Sequence, residues 1–138
     1  MQEITTFSEL AKADPRFPAE TYEFVQEVLE YANYLGMARE ADDESPNSGH
    51  ITGQDLCYAA VDYAINQYGF MAREVLSKLG ILKTGDVGDA VYKMVEYGFI
   101  SQSAEDERSD FDNVFDLAAE LEARFHFNYQ KKTKRPHF

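Results

Sequence analysis

Four times in this chain a glycine is followed at once by an apolar residue: Leu35-Gly36-Met37, Tyr68-Gly69-Phe70, Leu79-Gly80-Ile81 and Tyr97-Gly98-Phe99. Glycine takes the left-handed backbone conformation without a Cβ penalty, and that is what the residue just past a helix C-terminus needs. An apolar residue in the next position can fold back onto the last turn. Four such signals mark four helix ends, so the chain is expected to be mainly helical. The starts agree with the stops. Pro18 suits a first helical turn, and Thr52-Gly53-Gln54-Asp55 offers a start like a capping box with Asp in place of Glu. Thr84 suits the cap of a helix whose first turn holds Asp86, where the helix dipole favours an anion. Helices are therefore predicted over 18–35, 52–68, 70–79 and 85–97. A shorter one over 4–12 starts at Thr5 or Thr6, with Glu9 three positions after Thr6.

Each pattern offers one face to a core. The stripe over 18–35 is Tyr22, Val25, Val28, Leu29, Ala32 and Leu35. Over 52–68 it is Cys57, Ala60, Val61, Ala64, Ile65 and Tyr68, widened by Leu56 and Tyr63, which predicts that this helix forms the centre of the core. Over 85–97 it is Val87, Ala90, Val91, Met94 and Val95. The whole chain of 138 residues fits one domain.

Between the first two long helices the chain reads AREADDESPNSGH, from Ala38 to His50, acidic and without periodicity, so a loop is expected over 37–51. After Gly98 the pattern changes. Phe99-Ile100-Ser101-Gln102 and Asn113-Val114-Phe115 read as short strands around a polar, acidic loop, Ser103 to Asp112. Asp116 then looks like the cap of a short helix over 117–124, and Phe125-His126-Phe127-Asn128-Tyr129 alternates with a period of two. The expected organisation is a single domain over 1–130, with N-terminal helices over 4–36, followed by a basic tail over 131–138.

Charge narrows the classes of function. There are 25 acidic and 13 basic residues, a net of −12, and Lys131, Lys132, Lys134 and Arg135 are four of the basic ones. Residues 1–130 thus hold nine basic residues against 25 acidic, a net of −16. A body of that sign repels nucleic acid and anionic membrane and favours basic partners. The single Cys57 excludes a disulfide scaffold and fits a reducing compartment. No apolar run approaches the ~18 residues of a membrane span, and MQEITTFSELAKADP lacks the basic and apolar regions of a signal peptide. A soluble, cytoplasmic protein with no membrane partner is expected.

Residues 53–116 run helix, helix, helix, strand, loop, strand, and this order resembles a winged helix-turn-helix domain. Val75 to Ile81 resembles the second helix and its turn, Val87 to Tyr97 the recognition helix, and Gly98-Phe99-Ile100 the entry to the wing. The fold class expected is mainly α (α+β), with a winged-helix-like three-helix core over 52–116, a small β hairpin and an N-terminal helical extension. A second resemblance rests on His50-Ile51-Thr52-Gly53-Gln54-Asp55-Leu56, Gln67-Tyr68-Gly69-Phe70-Met71-Ala72, Leu79-Gly80-Ile81, Asp86-Val87-Gly88-Asp89-Ala90-Val91 and Asp110-Phe111. Together these resemble an uncharacterised family of roughly 140-residue proteins from planctomycete and verrucomicrobial bacteria, over about residues 14–121. That resemblance implies a bacterial protein and a shared fold, and it supplies no catalytic residue.

Known chemistries find little support. His50, His126 and His137 are widely spaced, and Cys57 falls on an apolar stripe, so no closed zinc site is expected. Asp106, Asp110, Asp112 and Asp116 suggest calcium, but a loop begun at Asp110 places Val114 and Phe115 where an EF-hand needs an oxygen ligand and glycine. Gly85 and Gly88 flank Asp86, and Asp89 follows, so a phosphate would meet two carboxylates. No cofactor, metal or catalytic residue is expected, and the chain does not read as an enzyme. Glu20, Glu23, Glu27 and Glu30 form a continuous row on one helix face. Such a row is either a solvated face or a docking surface for a basic partner. Asp86 and Asp89 offer a second acidic face, and they make the recognition-helix resemblance the wrong sign for DNA. Phe125, Phe127 and Tyr129 ahead of Lys131, Lys132, Lys134 and Arg135 have the composition to stack on and neutralise single-stranded nucleic acid. The alternative there is an edge strand with a basic end lying on the acidic body. The reading reached is a non-catalytic protein-interaction or regulatory module with acidic surfaces. A nucleic-acid-associated regulator acting through the C-terminal segment is the alternative.

Overall fold

Gly36, Gly69, Gly80 and Gly98 all have positive φ, at 76°, 56°, 81° and 83°, in a computed structural model that describes residues 3–36, 51–101 and 107–124. The four glycines follow α2 (Ala19–Tyr34), α3 (Gly53–Tyr68), α4 (Ala72–Lys78) and α5 (Thr84–Glu96), while α1 (Phe7–Ala13) ends at Asp14. Short 3-10 turns occupy Gly69–Met71 and Arg108–Phe111, and residues 117–124 are helical. At Gly80 the Ile81 N–H reaches back to the Leu76 carbonyl at 2.8 Å, and at Gly98 the Phe99 N–H reaches the Met94 carbonyl at 2.8 Å. These are the six-to-one bonds of a Schellman stop, and each satisfies a carbonyl left open by the last turn.

The starts are equally local. Thr6 caps α1: its hydroxyl accepts from Glu9 N–H, while the Glu9 carboxylate accepts from Thr6 N–H. The Thr52 hydroxyl accepts from Asp55 N–H at 3.1 Å to open α3. Asp116 accepts from Ala119 N–H at 3.1 Å to open the 117–124 stretch. Pro18 stands one place earlier than expected, at the cap of α2.

α3 is the central helix, packed against α2, α4, α5 and the Arg108–Phe111 turn. Cys57, Ala60, Val61 and Ala64 face inward as their spacing predicts. α2 crosses α3 and also packs on α1 and α5. Its buried face is shifted from the expected stripe, because Thr21 and Phe24 are buried whereas Leu35 is exposed. The Thr21 hydroxyl donates to the Leu79 carbonyl at 2.6 Å, tying α2 to the end of α4.

Two expectations are corrected. Thr84 does not cap α5. It lies inside the first turn, buried, and its hydroxyl donates to the Phe111 carbonyl at 2.7 Å and accepts from Val114 N–H at 3.2 Å. The cap falls to Asp86, whose carboxylate accepts from Leu82 N–H at 2.8 Å and Lys83 N–H at 3.2 Å. The β hairpin is also absent: no strand occurs among the described residues, and neither 99–101 nor 113–115 is extended into a ladder. The polar backbone groups of Phe111 and Val114 bond the Thr84 side chain, and Phe111 sinks between α3 and α5 over Gly53 and Gly88. The segment thus docks as a 3-10 turn, and the winged-helix likeness loses its wing. Most of the loop expected over 37–51, and the segment from 125 onward, lie outside the described residues.

Candidate interaction surfaces

Residues 20, 23, 27 and 30 step by three and four, which places them on one side of a helix of 3.6 residues per turn. α2 buries its other side through Tyr22, Val25, Val28 and Ala32, so all four glutamates are exposed. Glu27 accepts from the Tyr63 hydroxyl of α3 at 2.7 Å. Glu20, Glu23 and Glu30 have no ion pair with any described residue. The ridge ends at Tyr34, one further step of four, whose ring is 85% exposed.

Beside the ridge, α2 and α3 share a polar seam. The Tyr31 hydroxyl donates to the Asp62 carboxylate and accepts from the Asn66 amide at 2.7 Å. Burial, reinforced by that carboxylate, pushes the Tyr31 phenol up to about 12. The bond to Glu27 does the same for Tyr63, again to about 12. Both phenols therefore stay protonated at neutral pH and act as donors that fasten the two helices.

The second acidic pair has a different setting. Asp86 is 5% exposed and takes Arg16, from the link before α2, at 2.9 Å. Asp89 accepts from the same Arg16 at 3.2 Å and from Arg108 at 2.7 Å. Arg108 also holds Asp112 at 2.7 Å, and Lys93 holds Asp14 at 2.6 Å. Arg16, Asp89, Lys93 and Arg108 line an open depression along α5, in which each of the three cations is bonded to a carboxylate. The pair that reads in sequence as a docking face is thus turned onto internal cations. It clamps α5 to the segment before α2 and to the Arg108–Phe111 turn. Arg16 escapes a sequence reading, because nothing in Asp14-Pro15-Arg16-Phe17-Pro18 points seventy positions ahead to Asp86.

The aspartates after Arg108 have separate tasks. Asp110 accepts from Glu107 N–H at 3.1 Å, Asp112 binds Arg108, and Asp116 caps the next helix; Asp106 lies outside the described residues. Among the described residues no group of three His, Cys, Asp or Glu side chains is gathered around a point where a metal could sit. Burial pushes the Cys57 thiol up to about 12, which leaves it almost wholly un-ionised at neutral pH. Phe125, Phe127, Tyr129, Lys131, Lys132, Lys134 and Arg135 lie outside the described residues. No helix among the described residues is long and apolar enough to cross a membrane. No family model, curated protein or solved structure matches the chain.

Proposed function

We propose that this chain is a non-catalytic interaction module that presents the acidic ridge of α2 to a basic protein partner. One observation carries the reading: Glu20, Glu23 and Glu30 stand exposed and without an ion pair among the described residues, while the acidic pair on α5 is occupied by Arg16 and Arg108. Like charges at i,i+3 and i,i+4 cost a helix a few tenths of a kcal/mol (about 0.2–0.5) per pair. Packing does not require them, because the ridge faces away from the core. A partner bearing Lys or Arg at matching spacing relieves that repulsion, and the exposed Tyr34 ring adds a place for a cation or an aliphatic stem.

The test is the triple reversal Glu20→Lys/Glu23→Lys/Glu30→Lys, which spares Glu27 and its bond to Tyr63. In a quantitative native pull-down the unaltered chain captures basic proteins that are released between about 0.05 and 0.3 M salt, as screening shortens the reach of exposed charges. The reversed chain loses those proteins. An unchanged partner list rejects the ridge as the docking surface.

The alternative, single-stranded nucleic acid bound through residues 125–135, rests on the spacing of aromatics and cations in that segment. It predicts anisotropy binding to oligonucleotides that weakens steeply with salt and vanishes in a chain ending at Gln130. No binding at low salt removes it.

A further inference from the structure

The turn after α3 departs from the stops at Gly80 and Gly98. After Gly80 the next residue, Ile81, is buried, and after Gly98 the Phe99 ring packs on Phe7 at 4.8 Å between centroids. Phe70 occupies the same position after Gly69, yet it is 77% exposed, with Met71 at 40% beside it. The backbone is the cause. Gly69 combines its φ of 56° with a ψ of −131°, away from the left-handed helical region, and the chain enters a 3-10 turn. Phe70 stands at the edge of a groove of about 270 Å³ formed by Ile65, Ala72 and Leu121, with Arg73 and Glu122 as its charged lining.

We infer that this knob and groove form a self-complementary surface through which two copies of the chain associate, Phe70 of each entering the groove of the other. A two-fold contact requires one patch to carry both a feature and its complement, and here the projecting ring and the apolar hollow adjoin. Charge selects the same patch. Each copy carries −12, so two copies repel over most approaches, but among the described residues the groove is lined by one cation and one anion, which balance. A single large ring and a methionine per copy make a small interface, so the dimer is weak, with a Kd on the order of 100 μM.

Sedimentation equilibrium of the full chain from about 10 μM to about 1 mM tests this. The unaltered chain shifts from monomer to dimer over that range. Phe70→Asp raises the Kd by at least about tenfold, because a carboxylate would enter an apolar hollow, whereas Phe70→Leu stays within a few-fold. Association tightens as salt rises, since screening removes the repulsion between like-charged copies, the opposite sign to capture by the α2 ridge; the triple reversal on that ridge, which brings the net charge from −12 to −6, does not abolish the dimer. Phe70 is exposed, so unaltered helical content in Phe70→Asp shows that the fold survives. A monomer at every concentration overturns the inference and leaves the groove to another partner or to residues beyond 124. A dimer indifferent to Phe70→Asp overturns it in favour of a different surface.

Discussion

A Cβ added at Gly88 would stand 2.6 Å from the Phe111 Cβ and 2.7 Å from its Cγ. The obstacle is the root of a side chain, which cannot swing away without moving its own backbone. That backbone is held, because the Phe111 carbonyl accepts from buried Thr84 and Arg108 is paired with both Asp89 and Asp112. In an open helix interior, Gly→Ala gains about 1 kcal/mol of helix propensity. Here the overlap costs about 1–3 kcal/mol of overpacking, which exceeds the gain. Gly88→Ala is therefore expected to lower stability by about 1 kcal/mol, visible as a lower urea midpoint with an unchanged slope. An alanine variant as stable as the original would show that the 108–112 turn is free to lift off α5. Gly88 is consequently a close-approach glycine, a role that its sequence position between Asp86 and Asp89 does not reveal.

α1 shows what a short element needs. Seven residues cannot sustain a helix in water by themselves, so α1 is held from both ends and by burial of Leu10. At its start Glu9 accepts from Thr5 N–H, Thr6 N–H and the Thr5 hydroxyl, and these bonds hold its carboxyl below the usual range. Beyond its end, the hydrogen bond from Lys93 holds the Asp14 carboxyl below its ordinary 3.8, with a smaller pull from Arg16. A depressed carboxylate stabilises the fold above its unfolded value and loses that contribution as pH falls through the folded one. Replacing Lys93 with Met is expected to lower the urea midpoint at about pH 7, with the difference from the original chain shrinking as pH falls below Asp14's ordinary 3.8. A difference that stays constant over that range would mean that pairing with Asp14 is not what Lys93 contributes. At this scale the sequence is informative wherever the determinant lies within a turn: Gly36, Gly80, Gly98, Thr6, Thr52 and Asp116 all act on neighbours at most five residues away. It misleads where the partner is distant. Thr84 looks like a cap, but its partners are 27 and 30 positions on, and Asp86 looks like a free anion until Arg16 arrives from 70 positions back. Phe99-Ile100 reads as a strand because apolar residues after a glycine also close a Schellman stop, and the local pattern cannot separate the two. The α2 ridge is legible because its exposure follows from helical period alone.

Across the molecule α2 joins the two halves of the core, and its tyrosines record that. Tyr22 lies on the side of α1, with its ring against Phe7 and Phe17, and is fully buried. Tyr31 sits on the side of α3, where Tyr63 meets it at 5.3 Å between centroids. Burial pushes the Tyr22 phenol from its ordinary 10.0 up to about 12, and Tyr31 and Tyr63 reach about the same value by burial and carboxylate bonding. A raised phenol favours the fold below its unfolded value and withdraws that support as pH climbs towards the folded one. All three withdraw over the same window, between about pH 10 and 12. Because they lie on both sides of one helix, ionising them separates α2 from α1 and α3 together. Alkaline titration is therefore expected to show a cooperative phase in phenolate absorbance as pH approaches about 12. Tyr22, Tyr31 and Tyr63 ionise in one steep step that coincides with loss of the helical dichroism. Tyr31→Phe removes one of these protons and makes that step shallower. If Tyr22, Tyr31 and Tyr63 ionised near pH 10 while the helices persisted, α2 would not be the shared element through which the two halves are joined.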